Sequence, residues 1–181
     1  MRKGLLSLLL TLPLFILNAQ KIDESKIDVF TGRQVIYTTW VRFYNGEGPN
    51  GLMSSEVRFR HEHNRNFMQI KIVTGTVSLT SREAAKIDFL TDRGVVSFAN
   101  LRSETSGRGK GLLGGNSAQL GMVLQYTGDF DIFLTSKVEK IRYHFVEGYY
   151  DIEVPVEYQK VFMRSFELLV SEISDVKNVK K

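Results

Sequence analysis

Most of this chain alternates apolar and polar residues with a period of two, and only its C-terminal segment changes to a helical period. The period of two is typical of β-strands that bury one face. The alternating segments recur at intervals of about a dozen residues, which is the spacing of a sandwich or a barrel. We therefore expect a mainly β fold, an antiparallel β-sandwich or a half-open β-barrel.

The clearest local signals are three hairpins. Each consists of two alternating segments joined by a turn that contains Gly, Asn or Asp, the residues that adopt turn conformations most readily. The hairpins are predicted over residues 54–72, 85–101 and 138–154. Further strands are predicted over residues 34–43, 118–126 and 130–134, after an extended lead-in over 20–33.

The C-terminal segment predicts one amphipathic helix over about residues 156–175. Pro155 suits a first helical turn, and acidic residues share the polar side with basic ones, so packing on the sheet is favoured over a membrane-surface role. Residues 177–181 are predicted to form a disordered tail. The apolar stripe consists of Tyr158, Val161, Phe162, Phe166, Leu169, Val170, Ile173 and Val176.

Residues 1–19 have the order of a secretory signal peptide. Arg2 and Lys3 precede an uncharged run from Leu5 to Leu17, and a polar segment with Ala19 at the expected cleavage position follows. The run is shorter than the about 20 apolar residues that a spanning helix needs. We expect cleavage near Ala19, a single β-rich domain over residues 20–176, and a periplasmic or secreted protein without a membrane span.

Composition excludes several classes of function. The chain has no cysteine, so lipid attachment to a cysteine, thiol catalysis and cysteine-based metal sites are excluded. Removal of Arg2 and Lys3 from the 24 basic residues leaves 22 against 20 acidic ones. Because the mature domain is then nearly neutral and has no basic cluster in its sequence, we expect no nucleic-acid partner.

His61 and His63 are the only residues whose spacing resembles a metal site. Side chains two positions apart share one face of a strand, so both imidazoles would reach one ion, such as zinc. The alternative is a half-buried histidine at a strand end beside an exposed one in a turn. No third ligand is identifiable from the sequence, and we expect no cofactor.

The glycine-rich run from Gly107 to Gly115 predicts a flexible surface loop, with Gly107, Arg108, Gly109, Lys110 and Gly111 as its charged part. Glycine backbones expose amide groups to anions, but the spacing of a phosphate loop is missing. We therefore favour a loop that becomes ordered on a partner.

Aromatic residues suggest a second kind of site. Trp40, Tyr126, Tyr149 and Tyr150 are candidates to line a concave surface for a sugar or an apolar ligand, and packing in the core is the alternative. The sequence contains no hydrolase motif, so we name no catalytic residue and do not expect an enzyme.

Both ends of the chain resemble small exported proteins of Bacteroidota-type bacteria. The resemblance rests on Asn18-Ala19-Gln20 with Lys21-Ile22-Asp23, on Phe30-Thr31-Gly32-Arg33, and on Val138-Glu139-Lys140-Ile141-Arg142 before a Gly-Tyr hairpin and a final helix. It implies a periplasmic or secreted protein and brings no catalytic motif.

These observations together predict an exported envelope protein that acts as a non-enzymatic binding or structural module. Its expected partner is an envelope protein, a glycan or an apolar ligand. The alternatives are a barrel-type carrier of an apolar or sugar ligand and a metal-dependent protein that uses His61 and His63.

Overall fold

The computed structural model describes residues 20–46, 51–52, 54–110 and 119–179. The predicted signal segment, residues 1–19, lies outside the described residues. The strands are β1 (Ile22–Ile27), β2 (Gln34–Thr38), β3 (Val41–Asn45), β4 (Ser54–Glu62), β5 (Arg65–Val73), β6 (Thr80–Ser81), β7 (Lys86–Thr91), β8 (Gly94–Asn100), β9 (Glu104–Thr105), β10 (Gly107–Arg108), β11 (Leu120–Thr127), β12 (Val138–Phe145) and β13 (Gly148–Glu153). Helix α1 (Val161–Val179) follows, and short 3-10 helices span Asp131–Leu134 and Val156–Tyr158.

Eleven of the described strands form one antiparallel sheet in the order β1-β2-β4-β5-β11-β8-β7-β12-β13, with β3 paired to β4 and β10 paired to β11. β6 and β9 form a separate pair. β1 and β13 lie at the two ends of this order, so the described sheet is not closed. The predicted mainly β, antiparallel fold with one C-terminal helix is confirmed.

Helix α1 packs mainly against β4, β2 and the 3-10 helix Asp131–Leu134. The rings of Phe59 on β4 and Phe166 on α1 lie 5.1 Å apart between centroids. These two rings belong to a cluster of buried phenylalanines. Aromatic rings bury large apolar areas and pack edge to face, so the cluster supplies much of the core. The cluster consists of Phe43, Phe59, Phe89, Phe98, Phe130, Phe133, Phe162 and Phe166.

The helix begins and ends later than predicted. The turn after Pro155 is a 3-10 turn, in which Tyr158 N donates to Pro155 O over 2.8 Å, and α1 starts only at Val161. It continues to Val179, so residues 177–179 of the predicted tail belong to the helix. No helix in the described part of the chain is long and apolar enough to cross a bilayer.

The prediction of one continuous strand over residues 34–43 is wrong. β2 ends at Thr38 and β3 begins at Val41, and Thr39 between them donates its backbone N–H to Lys21 O. Ile36 and Val41 both lie in the core, although strict alternation would place them on opposite faces. The two-residue break shifts the alternation by one position, so that Val41 faces the core as Ile36 does. It also leaves Trp40 outside the strand pairing.

Two other segments also differ from their predictions. The predicted strand over residues 130–134 is a 3-10 helix over Asp131–Leu134 that follows Phe130, and the three-residue repeat buries both Phe130 and Phe133. The Asp129 carboxylate accepts the N–H of Asp131 at its start. The lead-in over residues 20–33 contains β1, which pairs with β2.

Candidate binding surface

The pairing of β4 with β5 places charged and aromatic side chains on the face opposite α1. Inward pairs such as Phe59 with Met68 are fully buried, and the alternation of a strand turns the intervening pairs outward. Those outward pairs are Glu56 with Lys71, Arg58 with Gln69, and Arg60 with Phe67. We call the outward surface of Tyr37, Trp40, Arg58, Arg60, Phe67 and Lys71 the arginine–aromatic face.

Arg58 lies at the centre of this face between two aromatic rings. Its guanidinium carbon is 4.7 Å from the ring centroid of Tyr37 and 4.5 Å from that of Trp40. Its Nε donates to the Gln69 Oε1 atom over 2.7 Å. Burial lowers the pKa of the Arg58 guanidinium below its ordinary value, but arginine remains charged at any physiological pH.

The other cations of the arginine–aromatic face each have a carboxylate partner. Lys71 forms an ion pair with Glu56, and Arg60 forms one with Glu62. In contrast, no carboxylate of the described residues lies within ion-pairing distance of Arg58, and none of them accepts a hydrogen bond from its Nη atoms. Arg58 is therefore a half-buried cation that forms no ion pair among the described residues, although the carboxylates of Asp23 and Glu24 on β1 act on its charge from further away.

The surroundings of Arg58 are held in place by further contacts. The Lys71 ammonium lies 4.9 Å from the centroid of the Trp40 ring. Gln69 donates from Nε2 to the Oε1 atom of Gln125 on β11 over 3.1 Å. Because rings, amides and guanidinium are already fixed, a ligand would lose little entropy in ordering them.

A second polar surface lies on the outward face of β7, β12 and β13. It contains a cavity of about 240 Å³ lined by Asp88, Leu90, Val95, Lys140, Arg142 and Asp151. Arg142 donates two hydrogen bonds to Asp151, of 2.6 and 2.7 Å, and stacks at 4.5 Å on Tyr149. Unlike Arg58, this arginine is already neutralised by a bidentate carboxylate.

His144 and Asp88 form the only histidine–carboxylate pair that resembles a catalytic dyad among the described residues. The His144 Nε2 atom lies 2.7 Å from Asp88 Oδ2, and Ser97 donates to Asp88 Oδ1 over 2.6 Å. Among the described residues, no hydroxyl hydrogen-bonds to the imidazole of His144.

The two predicted metal ligands do not form a cluster of ligands. The His61 Nδ1 atom lies 2.7 Å from Asn66 Oδ1, whereas His63 is in the turn after β4 with a positive φ of 54°. Within the described residues, no group of three His, Cys, Asp or Glu side chains is arranged to hold a metal ion. The metal site stays a prediction without a third ligand.

The four predicted ligand-binding aromatics lie in three different surroundings. Tyr126 and Tyr150 are buried in the core, whereas Tyr149 on β13 is 65% exposed. Trp40 belongs to the arginine–aromatic face, which β11, β8 and β7 separate from β12 and β13 in the sheet. The structure therefore does not bring these four side chains together.

Part of the predicted flexible loop is a short strand. Gly107 and Arg108 form β10 and pair with Gly121 and Leu120 of β11. Gly109 has a positive φ of 72°, and Lys110 donates from Nζ to Thr105 O over 3.2 Å. Gly111 lies outside the described residues.

Comparisons of the chain with protein-family models, with curated proteins and with solved structures found no match. The candidate site therefore rests on the geometry of this chain alone.

Sequence reasoning selected Trp40 but missed Arg58, Tyr37 and Lys71. The alternation of β4 correctly placed Arg58 on its outward face, but it also placed Glu56 and Arg60 there. Arg60 also lies opposite an uncharged residue, Phe67, but Arg60 forms an ion pair with Glu62, whereas Glu56 beside Arg58 is paired with Arg42 and Lys71. The partners of Glu56 become readable only when the register of β4 against its neighbouring strands is known.

Proposed function

We propose that the protein is an exported, non-enzymatic binding module of the cell envelope, and that its arginine–aromatic face binds an acidic glycan. Export to the periplasm or beyond is supported by the charged, apolar and polar order of residues 1–20. The observation that carries the binding proposal is Arg58, a charged guanidinium held between Tyr37 and Trp40 that forms no ion pair with any carboxylate in the part of the chain that the structure describes.

A carboxylate on a sugar ring fits the chemistry of this face. The guanidinium donates two parallel hydrogen bonds to a carboxylate, which gives both affinity and orientation. The half-buried Gln125, whose Oε1 atom accepts from Gln69, offers its amide N–H groups to sugar hydroxyls.

The test is calorimetric titration of the protein with a galacturonate oligosaccharide and with a neutral galactose oligosaccharide of equal length. We expect binding of the acidic oligosaccharide only. The variant Arg58→Gln should weaken it by about tenfold or more, since hydrogen bonds to charged groups contribute about 1.5–3 kcal/mol. Affinity should also fall as salt is added.

Arg142→Gln is the matched control. Arg142 also stacks on a tyrosine, but Asp151 already occupies its guanidinium, so its loss should leave glycan binding unchanged. Equal losses in the two variants would mean that general positive charge, and not the geometry around Arg58, attracts the ligand. Equal binding of acidic and neutral oligosaccharides would overturn the proposal.

A further inference from the structure

The turn between β1 and β2 exposes two apolar side chains almost completely. Val29 is 92% and Phe30 is 98% exposed, and the neighbouring Ile27 is 53% exposed. Among the phenylalanines that the structure describes, the others are buried or half-buried. An exposed apolar cluster of this kind marks an interaction surface more often than a packing defect.

The exposure of these side chains does not come from a loose loop. The Asp28 carboxylate accepts hydrogen bonds from the backbone N–H groups of Phe30 and Thr31, over 3.0 and 2.7 Å. Gly32 N donates to Asp28 O over 2.8 Å, and Asp28 N donates to Arg33 O over 2.7 Å. The turn therefore presents Val29 and Phe30 in a fixed arrangement, so binding through them requires little ordering.

Cations lie beside this apolar tip. The pairing of Val35 with Glu62 brings the turn after β4 next to the turn after β1, which places Arg65 at the same end of the sheet as Arg33. Both arginines are exposed, and neither forms an ion pair within the described part of the chain. The nearest acidic side chain of the turn, Asp28, is occupied by the turn's own hydrogen bonds.

We propose that this turn docks the protein on a bilayer that contains anionic lipids. Val29 and Phe30 insert at the level of the first acyl carbons, and Arg33 and Arg65 contact lipid phosphates. A bilayer with anionic lipids is apolar inside and negatively charged at its surface. It therefore complements protruding apolar side chains that are flanked by cations. The inference is independent of glycan binding, because it uses a different end of the sheet from Arg58.

A bilayer fits this tip better than a protein pocket does. The turn offers solvent its apolar side chains and Arg33, while the backbone groups of Asp28 and Gly32 are used inside the turn. A fluid apolar phase accepts such a convex tip without a preformed cavity, whereas a protein partner would have to supply one. The test must therefore be able to show that the turn binds a protein instead of a bilayer.

The experiment is co-sedimentation of the exported protein with vesicles of pure phosphatidylcholine and with vesicles that also contain phosphatidylglycerol. We expect binding to the anionic vesicles. The double variant Val29→Ser/Phe30→Ser should reduce it by about tenfold or more, because two apolar side chains then stay in water. Replacing both Arg33 and Arg65 with Gln should remove the preference for anionic lipid.

Val156→Ser is the matched control, since Val156 is also an exposed valine, at 80%, but lies outside the turn. It should bind anionic vesicles as the unchanged protein does. A Phe30→Trp variant adds a direct readout, because its fluorescence should shift to shorter wavelength when vesicles are added. No binding to anionic vesicles, or equal binding by the double variant, would overturn the proposal and leave a protein as the partner of the turn.

Discussion

The hydroxyl groups of Tyr143 and Ser55 lie 3.2 Å apart in the core, where Tyr143 on β12 donates a hydrogen bond to Ser55 on β4. The two residues are 88 positions apart in the chain, so this bond joins distant strands of the open sheet across its interior. Both side chains are almost completely buried. Water therefore cannot readily replace either hydroxyl as a hydrogen-bond partner.

Removing the Tyr143 hydroxyl should therefore destabilise the protein. We expect Tyr143→Phe to lower the free energy of unfolding by about 1–3 kcal/mol, because Ser55 is left buried without its donor. The double variant Tyr143→Phe/Ser55→Ala should cost less than the sum of the two single variants. Urea unfolding of the four proteins measures this coupling, and strictly additive losses would contradict a direct bond.

The buried tyrosines should make the protein sensitive to alkaline pH. Burial raises the pKa of Tyr126 well above its ordinary value, so the folded state keeps a proton that the unfolded chain releases from about pH 10. The stability from this group is present below that pH and is lost as the pH rises towards the folded pKa. In urea unfolding between pH 8 and 11, stability should fall less steeply for Tyr126→Phe than for the unchanged protein. Tyr149→Phe, which changes an exposed ring, should follow the unchanged protein.

The Asp88 carboxylate should make the stability of the protein sensitive to acidic pH. Burial alone would raise its pKa, but the hydrogen bonds from Ser97 and His144 lower it overall. A lowered pKa contributes stability above the pKa of the unfolded chain, about pH 4, and this stability is lost as the pH falls through the folded value. Asp88→Asn should therefore flatten the loss of stability between about pH 5 and pH 2. Asp175→Asn on α1 is the control. If Asp88→Asn lost stability with falling pH as steeply as the unchanged protein, the contribution assigned to Asp88 would be contradicted.

Gly121 should tolerate no side chain. A Cβ atom there would overlap the carbonyl oxygen of Lys110 and lie 3.0 Å from the carbonyl oxygen of Ile72. We expect Gly121→Ala to cost about 1–3 kcal/mol of stability and to detach β10 from β11, which exposes Arg108 to trypsin. Gly46→Ala is the control, because its Cβ would meet only the Tyr44 ring at ordinary contact distance. Unchanged cleavage after Arg108 would show that β10 does not depend on this close approach.

The parts of the fold that were predictable depend on neighbours in the sequence. The hairpin of β7 and β8 follows from its own alternation and from the turn at Asp92 and Gly94, and the structure has it nearly as expected. The break at Trp40 and the 3-10 helix after Phe130 were missed because tertiary contacts with Lys21 and with the core decide them.

The candidate surface was predictable only in part for a similar reason. Trp40 stood out as the single tryptophan, but nothing local distinguishes Arg58 from the other arginines of β4. Because Glu56 pairs with Arg42 and Lys71 on the neighbouring strands, Arg58 has no ion-pair partner among the described residues. Which charges lie next to each other on a sheet depends on the register of its strands, and one sequence does not give that register.

The open order of the sheet leaves β1 and β13 with one unpaired backbone edge each among the described strands. Such an edge is a template on which a strand of another molecule can hydrogen-bond. Both edge strands carry charged side chains, and Glu24 on β1 and Asp151 and Glu153 on β13 are paired with Lys26, Arg142 and Lys140. A strand of a second copy that added to either edge would have to pack beside these ion pairs and take them out of water, so the charges of the outermost strands disfavour edge-to-edge assembly.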